Sequence, residues 1–168
     1  MSQFHKKHIT EDWLDLVNEF KEFILEPSPM VLEWVDHCKE KGFDDIPDEE
    51  NLTNLRYGFE CDIGWKTIIR EYFEGIRSLL KEAKDSGHDV RYSTFIFKEK
   101  FGELMDQGDF YGLDSKAYRD RYYALGTELS KKSLQTCEVC GKPGILKGKK
   151  YGWVKTVCNQ HAKELNFF

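Results

Sequence analysis

The sequence predicts an α+β fold: a mainly helical body, a small antiparallel β element and a compact module at the C-terminal end. Three observations lead there. Trp65, Ile68, Ile69, Tyr72, Phe73, Ile76, Leu79 and Leu80 recur at i, i+3, i+4, i+7 spacing, which lays one apolar stripe along a helix over 64–84. Val90, Tyr92, Thr94, Phe95, Ile96 and Phe97 form a β-branched and aromatic run of strand character. Finally, Cys137 and Cys140 are answered, after a seventeen-residue interval, by Cys158 and His161, a CxxC…CxxH spacing.

Thr10 is placed to cap a first helix, with Glu11 and Asp12 in the turn where carboxylates complement the helix dipole. Trp13, Val17, Phe20 and Ile24 continue it at helical spacing until Pro27 and Pro29. Ser28-Pro29 opens a second helix, with Val31, Trp34, Val35 and Cys38 on one face and Gly42 as its stop. Both read as packing elements and as partners for the 64–84 stripe. Residues 42–63 read as a connector outside the core. Its acids, Asp44, Asp45, Asp48, Glu49 and Glu50, lack the alternating oxygens and glycine turn of a calcium loop and read as a solvated cluster. Asp48 is expected to cap a short helix through Leu52 and Leu55. After the 64–84 helix and a turn at Asp85-Ser86-Gly87-His88, a strand is expected over 90–98. Met105-Asp106-Gln107-Gly108 reads as a turn and Asp109-Phe110-Tyr111 as the returning strand of a hairpin near 90–111. Ser115 then caps a helix carrying Ala117, Tyr118, Tyr122, Leu125 and Leu129, which runs into the cysteines with no flexible linker. Residues 1–130 are therefore read as the body, and 131–168 as a module docked on it.

With 40% hydrophobic and 14% aromatic residues, the chain can bury a core, which excludes wholesale disorder. Its apolar runs fall far below the roughly 20 residues of a membrane helix, so no membrane association is expected. MSQFHKKHITEDW contains no apolar stretch of a secretory leader. Three of five cysteines belong to the CxxC…CxxH set, and Cys38 and Cys61 are expected to stay reduced, which points to a cytoplasmic setting. The net charge of −5 hides an asymmetry: residues 131–168 carry +6, from eight lysines against Glu138 and Glu164, and the other 130 residues carry −11. Such a split fits either a nucleic-acid contact or attraction between the two parts of the chain.

Two thiols, a third thiol and an imidazole at these spacings match the four N/S ligands of tetrahedral Zn2+. Gly141 stands where a tight knuckle needs positive φ. A redox CxxC would have no use for Cys158 and His161, and no βαβ pattern surrounds it. The expected arrangement is treble-clef-like. Cys137 and Cys140 sit on the knuckle, a hairpin over 145–157 turns at Lys147-Gly148-Lys149-Lys150, and Cys158 and His161 open a helix over 159–165. A zinc ribbon is the alternative. Four protein ligands leave the ion no open position for water. Residues 141–157 contain no His, Asp or Glu to supply a second metal or a base, which argues against a treble-clef nuclease. His5, His8, His37 and His88 are scattered, with no nucleophile triad or phosphate-binding glycine loop, so no catalytic residues are assigned.

The motif order Glu60-Cys61-Asp62-Ile63-Gly64-Trp65, Lys98-Glu99-Lys100-Phe101-Gly102-Glu103-Leu104, Thr136-Cys137-Glu138-Val139-Cys140-Gly141-Lys142-Pro143-Gly144 and Gly152-Trp153-Val154-Lys155-Thr156-Val157-Cys158-Asn159-Gln160-His161 resembles an uncharacterised family of bacterial and bacteriophage proteins. In that family the KEKFG segment leads into a Leu-Arg-Phe-Tyr strand; here Met105-Asp106-Gln107-Gly108-Asp109 intervenes, and the strand's basic residue is missing. The resemblance covers roughly residues 60–161 and implies a phage or bacterial cytoplasmic context. Two functional expectations follow. The first is a non-catalytic accessory or regulatory zinc-finger protein that binds a protein partner. The second is nucleic-acid binding through Lys147, Lys149, Lys150 and Lys155, with Tyr151 and Trp153 as stacking surfaces, although Trp153 is expected to pack on the hairpin. An enzyme with a site in the body is a weaker third.

Overall fold

A computed structural model describes residues 3–112, 115–150 and 152–168. The expected first helix is broken. A 3-10 turn at Glu11–Trp13 leads into α1, Leu14–Glu19, and after Phe20 the chain restarts as α2, Lys21–Ile24. Phe20 leaves helical geometry (φ −122°, ψ 37°), and Phe20, Phe23 and Ile24 all end up buried. Thr10 occupies the cap position without making a side-chain cap bond.

The second helix, α3, spans Pro29–Glu40, and Ser28 Oγ accepts the Val31 N–H at its start. Its buried Val31 and Val35 pack with Phe4 and Leu52 in a separate small cluster, and Trp34 meets Phe4 edge-on at 5.1 Å. Val31 and Val35 thus belong to a different buried cluster from the 64–84 stripe, against expectation. The connector also departs from expectation in its second half. Its acids are exposed, but Leu52, Thr53, Asn54 and Leu55 are fully or almost fully buried, and the only helical turn is 3-10, Glu49–Asn51. Asn54 explains the inward course: Nδ2 donates to the Phe23 carbonyl (3.1 Å) and the Glu26 carbonyl (2.6 Å), and Oδ1 accepts the Ser28 N–H (2.8 Å). One amide thus satisfies the turn between α2 and α3.

The chain continues through β1, Phe59–Glu60, and a 3-10 turn, Ile63–Trp65, into the 20-residue α4, Lys66–Asp85. Ile68, Ile69, Tyr72, Phe73, Ile76, Leu79, Leu80 and Ala83 are its buried residues, as the stripe predicts. The expected strand at 90–98 is two strands, β2, Arg91–Ser93, and β3, Phe97–Lys100. β4, Glu103–Asp106, occupies part of the expected turn, and β5, Asp109–Tyr111, returns. β2 pairs antiparallel with β5, and β3 with β4, while β1 adds in parallel to β3. The result is one hairpin nested inside another. The split falls at Thr94, whose N–H goes to Phe23 O and whose hydroxyl goes to Asp106 Oδ1, so that this stretch bonds outside its own ladder. The inner hairpin turns on Phe101 (φ 57°) and Gly102 (φ 80°), a pair of positive φ values that suits a two-residue turn.

α5, Lys116–Ser133, packs along α4, with Leu125 over Gly75, while Ala117 faces solvent. The core centres on aromatic contacts: Phe73 lies 5.0 Å from Phe20 and 5.3 Å from Phe97, and Trp13 stacks on Phe59 at 4.1 Å. Such contacts add to the area term at about 1 kcal/mol each. Among the described residues no helix is long and apolar enough to cross a membrane. Asn54→Ala would strand the buried Ser28 N–H and two carbonyls. It is expected to destabilise the protein by about 3 kcal/mol, read as a lower urea midpoint at unchanged m-value.

Candidate metal centre

Beyond α5 the chain forms a bridge between Thr136 and Pro143, then the strands β6, Ile145–Gly148, and β7, Val154–Val157, and finally the helix α6, Asn159–Leu165. Gly141 has φ 74°, the left-handed conformation expected of the knuckle. Its N–H bonds to Cys137 O at 2.8 Å, folding the Cys137–Cys140 pair back on itself. Cys158 holds the cap position of α6, so His161 lies one turn inside that helix.

These turns bring the four sequence-predicted ligands together: one ligand atom from each of Cys137, Cys140, Cys158 and His161 lies within 4.8 Å of the others. Cys140 Sγ is 4.0 Å from Cys158 Sγ, and His161 Nδ1 is 3.4 Å from Cys137 Sγ and 3.3 Å from Cys158 Sγ. A tetrahedral ion with metal–sulfur bonds of about 2.3 Å spaces its ligand atoms by about 3.5–3.8 Å, so the quartet fits one ion. The other ring nitrogen, Nε2, faces Glu164 Oε2 at 3.6 Å, the position of an outer carboxylate that would orient the ring. Burial alone would raise the Cys137 thiol. The backbone N–H groups at Cys158, Cys140 and Val139 and the His161 imidazole outweigh it and bring the thiol to about 6. The His161 backbone N–H likewise lowers Cys158, while burial raises Cys140. Donors aimed at sulfur are what a thiolate ligand needs. Cys38 and Cys61 stand apart as free thiols, and burial pushes Cys61 well up.

The knuckle is held by the body. An ideal Cβ at Gly64 would overlap the Cys137 and Glu138 carbonyls and the Gly141 nitrogen, so only glycine allows this approach. Gly64 N–H donates to Glu138 O at 2.7 Å, and the buried Trp65 indole N–H donates to Thr136 O at 2.8 Å. Glu138 lies between the two cysteines with its side chain buried. Its Oε1 accepts the Asp62 N–H at 3.1 Å, and its Oε2 lies 3.2 Å from Lys155 Nζ at an angle too poor for a hydrogen bond. Burial lifts the Glu138 carboxyl to about 7, against the pull of Lys155. Lys155 also reaches Asp62 at 2.7 Å. Leu146 and Thr156 meet the tip of the β3–β4 hairpin, where the Thr156 hydroxyl donates to Gly102 O at 2.6 Å.

The other residues predicted to bind differ in their placement. Lys155 turns inward to Asp62 and Glu138, whereas Lys149 and Lys150 are exposed at the hairpin end and Lys147 is half-buried on β6. Trp153 does not pack on the hairpin as expected: it is 67% exposed, with Lys149 Nζ 5.9 Å from its ring centre. Tyr151 lies outside the described residues. Two carboxylates, the buried Glu138 and the half-buried Asp106, escaped the sequence reading. Glu138 carried a signal, since an acid between two thiolates needs a cation nearby, and Lys155 supplies it. Asp106, placed in a turn by its Asp-Gln-Gly context, accepts hydroxyls from Tyr72 (2.8 Å), Tyr92 (2.7 Å) and Thr94 (2.8 Å). Burial raises its carboxyl, partly offset by those donors.

Comparison of the chain with protein-family models, curated proteins and solved structures gives no match.

Lys155→Met would leave the Glu138 carboxylate buried without its cation. It is expected to destabilise the protein by about 2–3 kcal/mol, whereas the double variant with Glu138→Gln should recover more than half of that loss. Chemical denaturation of the four members of the cycle measures the difference.

Proposed function

We propose that Cys137, Cys140, Cys158 and His161 hold one structural Zn2+ in a treble-clef-like module, and that the protein is a non-catalytic accessory or regulatory protein acting through a protein partner. The fit of four N/S atoms to one tetrahedral ion supports zinc, and the order knuckle, hairpin, helix supports the treble-clef reading. When bound, the ion would supply folding free energy and neutralise thiolates; four protein ligands leave it no role in hydrolysis. The resemblance to bacterial and bacteriophage proteins favours a phage-related role in the cytoplasm of a bacterial or infected cell.

One observation carries the binding reading. On the module, Trp153, Ile145 and Leu146 stay 67%, 60% and 49% exposed, and Phe101 stands clear of the adjoining hairpin. Large apolar side chains left in water beside Lys147, Lys149 and Lys150 suit a partner surface that is apolar at its centre and acidic around it. A second reading, single-stranded nucleic acid, draws on the exposed Trp153 ring beside Lys149, a stacking platform with a cation at hand.

Elemental analysis should find one zinc per chain, and Cys140→Ser should lose it together with hydrogen-exchange protection over 131–168. Zinc-free protein of unchanged stability would end the structural-zinc reading. For the partner, Trp153→Ala combined with Ile145→Ser should lower capture from bacterial or phage-infected lysate at least ~10-fold, as loss of an aromatic anchor does. Equal capture by the variant would reject that surface. Nucleic-acid binding predicts retention on single-stranded DNA or RNA at about 50 mM salt that is lost with Lys149→Glu and Lys150→Glu. No retention would dismiss it.

A further inference from the structure

A cleft lies in the body, remote from the candidate metal ligands. The turn between α2 and α3, the C-terminal half of α4 and the β2–β5 ribbon enclose a cleft of about 560 Å³, within the usual size range of small-molecule sites. Pro27, Pro29 and Leu80 line it with apolar surface. We propose that this cleft binds a small organic oxyanion, a phosphate monoester or carboxylate carried on an apolar body.

The charges on its walls are unequally spent. Arg77 is held by Glu22 at 2.6 Å, and Lys81 by Asp85 at 2.8 Å. Lys84 and Arg91 also line the cleft, and among the described residues neither has a carboxylate partner. Glu26 is the one wall acid left without a cation among those residues, so the uncommitted charge is net positive. The register of the ribbon pairs Arg91 with Tyr111 and Ser93 with Asp109. Arg91, Ser93 and Tyr111 therefore share one face, while Tyr92 and Phe110 take the other, toward the core.

On that shared face two hydroxyls are orphaned. Ser93 Oγ and Tyr111 OH are cut off from solvent and have no hydrogen-bond partner, and Ser93 as a whole is 4% exposed. Buried hydroxyls rarely go unsatisfied, since each forfeits its water bonds without return. Two of them in one wall, beside an unpaired guanidinium, form a donor set without an acceptor. An oxyanion supplies several acceptor oxygens at once: the guanidinium and ammonium would take the charge, and the hydroxyls, which lie beneath the cleft surface, would take remaining lone pairs once the side chains over them give way. The positive end of the 12-residue α3 begins at Ser28–Pro29 in the same wall and adds a favourable field. Pro27, Pro29 and Leu80 would cover the apolar part. None of these residues belongs to the metal module, so the proposal stands apart from the function proposed for that module.

Titration calorimetry on the full chain with phenyl phosphate, benzoate and inorganic phosphate tests the site. Phenyl phosphate or benzoate should saturate it with a Kd below about 1 mM, and at least ~5-fold more tightly than inorganic phosphate, from burial of the ring. The better of the two organic probes assigns the headgroup as phosphate or carboxylate. Arg91→Ala with Lys84→Ala should weaken binding at least ~10-fold, as loss of charge-assisted hydrogen bonds does. Ser93→Ala distinguishes a ligand donor from a structural hydroxyl: it should weaken binding several-fold while leaving Tm unchanged or raised, because no native bond is lost. Absence of binding by all three probes at about 10 mM, or wild-type affinity in the Arg91/Lys84 variant, would overturn the proposal. A lowered Tm for Ser93→Ala would remove the orphaned donor from which it starts.

Discussion

The closest dependence in this structure is the seating of Gly64 and Trp65 on the Cys137–Gly141 knuckle. The approach is backbone to backbone, so glycine is the one residue that permits it, and the indole beside it is buried with its N–H on Thr136. α4 starts at this contact. The helix that organises the body is therefore anchored to the segment that presents two of the four candidate ligands. The dependence runs both ways. The module's own buried core amounts to Cys137, Val157, Ala162 and Phe167, too few to position a hairpin and a helix without the body behind them.

Two carboxylates, the half-buried Asp106 and the buried Glu138, are accommodated by different chemistry. Asp106 is surrounded by the hydroxyls of Tyr72, Tyr92 and Thr94, neutral donors that satisfy the carboxyl and tie β4 to α4 and to the segment after β2. Glu138 has the Asp62 N–H and the ammonium of Lys155, which Asp62 also shares. The first network is a core element that limits how the nested hairpins can register. The second crosses between module and body, where a charge pair in low dielectric rewards one docking geometry and penalises displacement.

The metal knuckle and the proposed oxyanion cleft lie at opposite ends of α4, whose 20 residues span about 30 Å. Their chemistries are as separate as their positions. The module presents exposed aromatic and aliphatic side chains among lysines, suited to a macromolecular surface, whereas the cleft pairs apolar walls with cations and unmatched hydroxyls, suited to a small molecule. A helix whose buried face runs from Ile68 to Ala83 would hold the two at a constant distance.

By itself the sequence determined the features that repeat or that need a particular atom. The stripe from Ile68 to Leu80 required a helix with one buried face. Pro29 and Ser28 marked the start of α3. The spacing of three sulfurs and an imidazole named the ligand set without reference to any distant residue. Tertiary structure decided what depended on partners far along the chain. Phe20 breaks a helix its own periodicity supports, and stays in the core with Phe23 and Ile24. Leu52 to Leu55 enter the interior because Asn54 satisfies a turn some thirty residues earlier. Lys155 and Trp153, two residues apart in one hairpin, exchange the roles their side chains suggest: the cation is drawn inward by Asp62 and Glu138, and the indole is left in water. Local pattern encodes which atoms are available. Only the packed chain determines which of them find a partner and which remain open to a ligand.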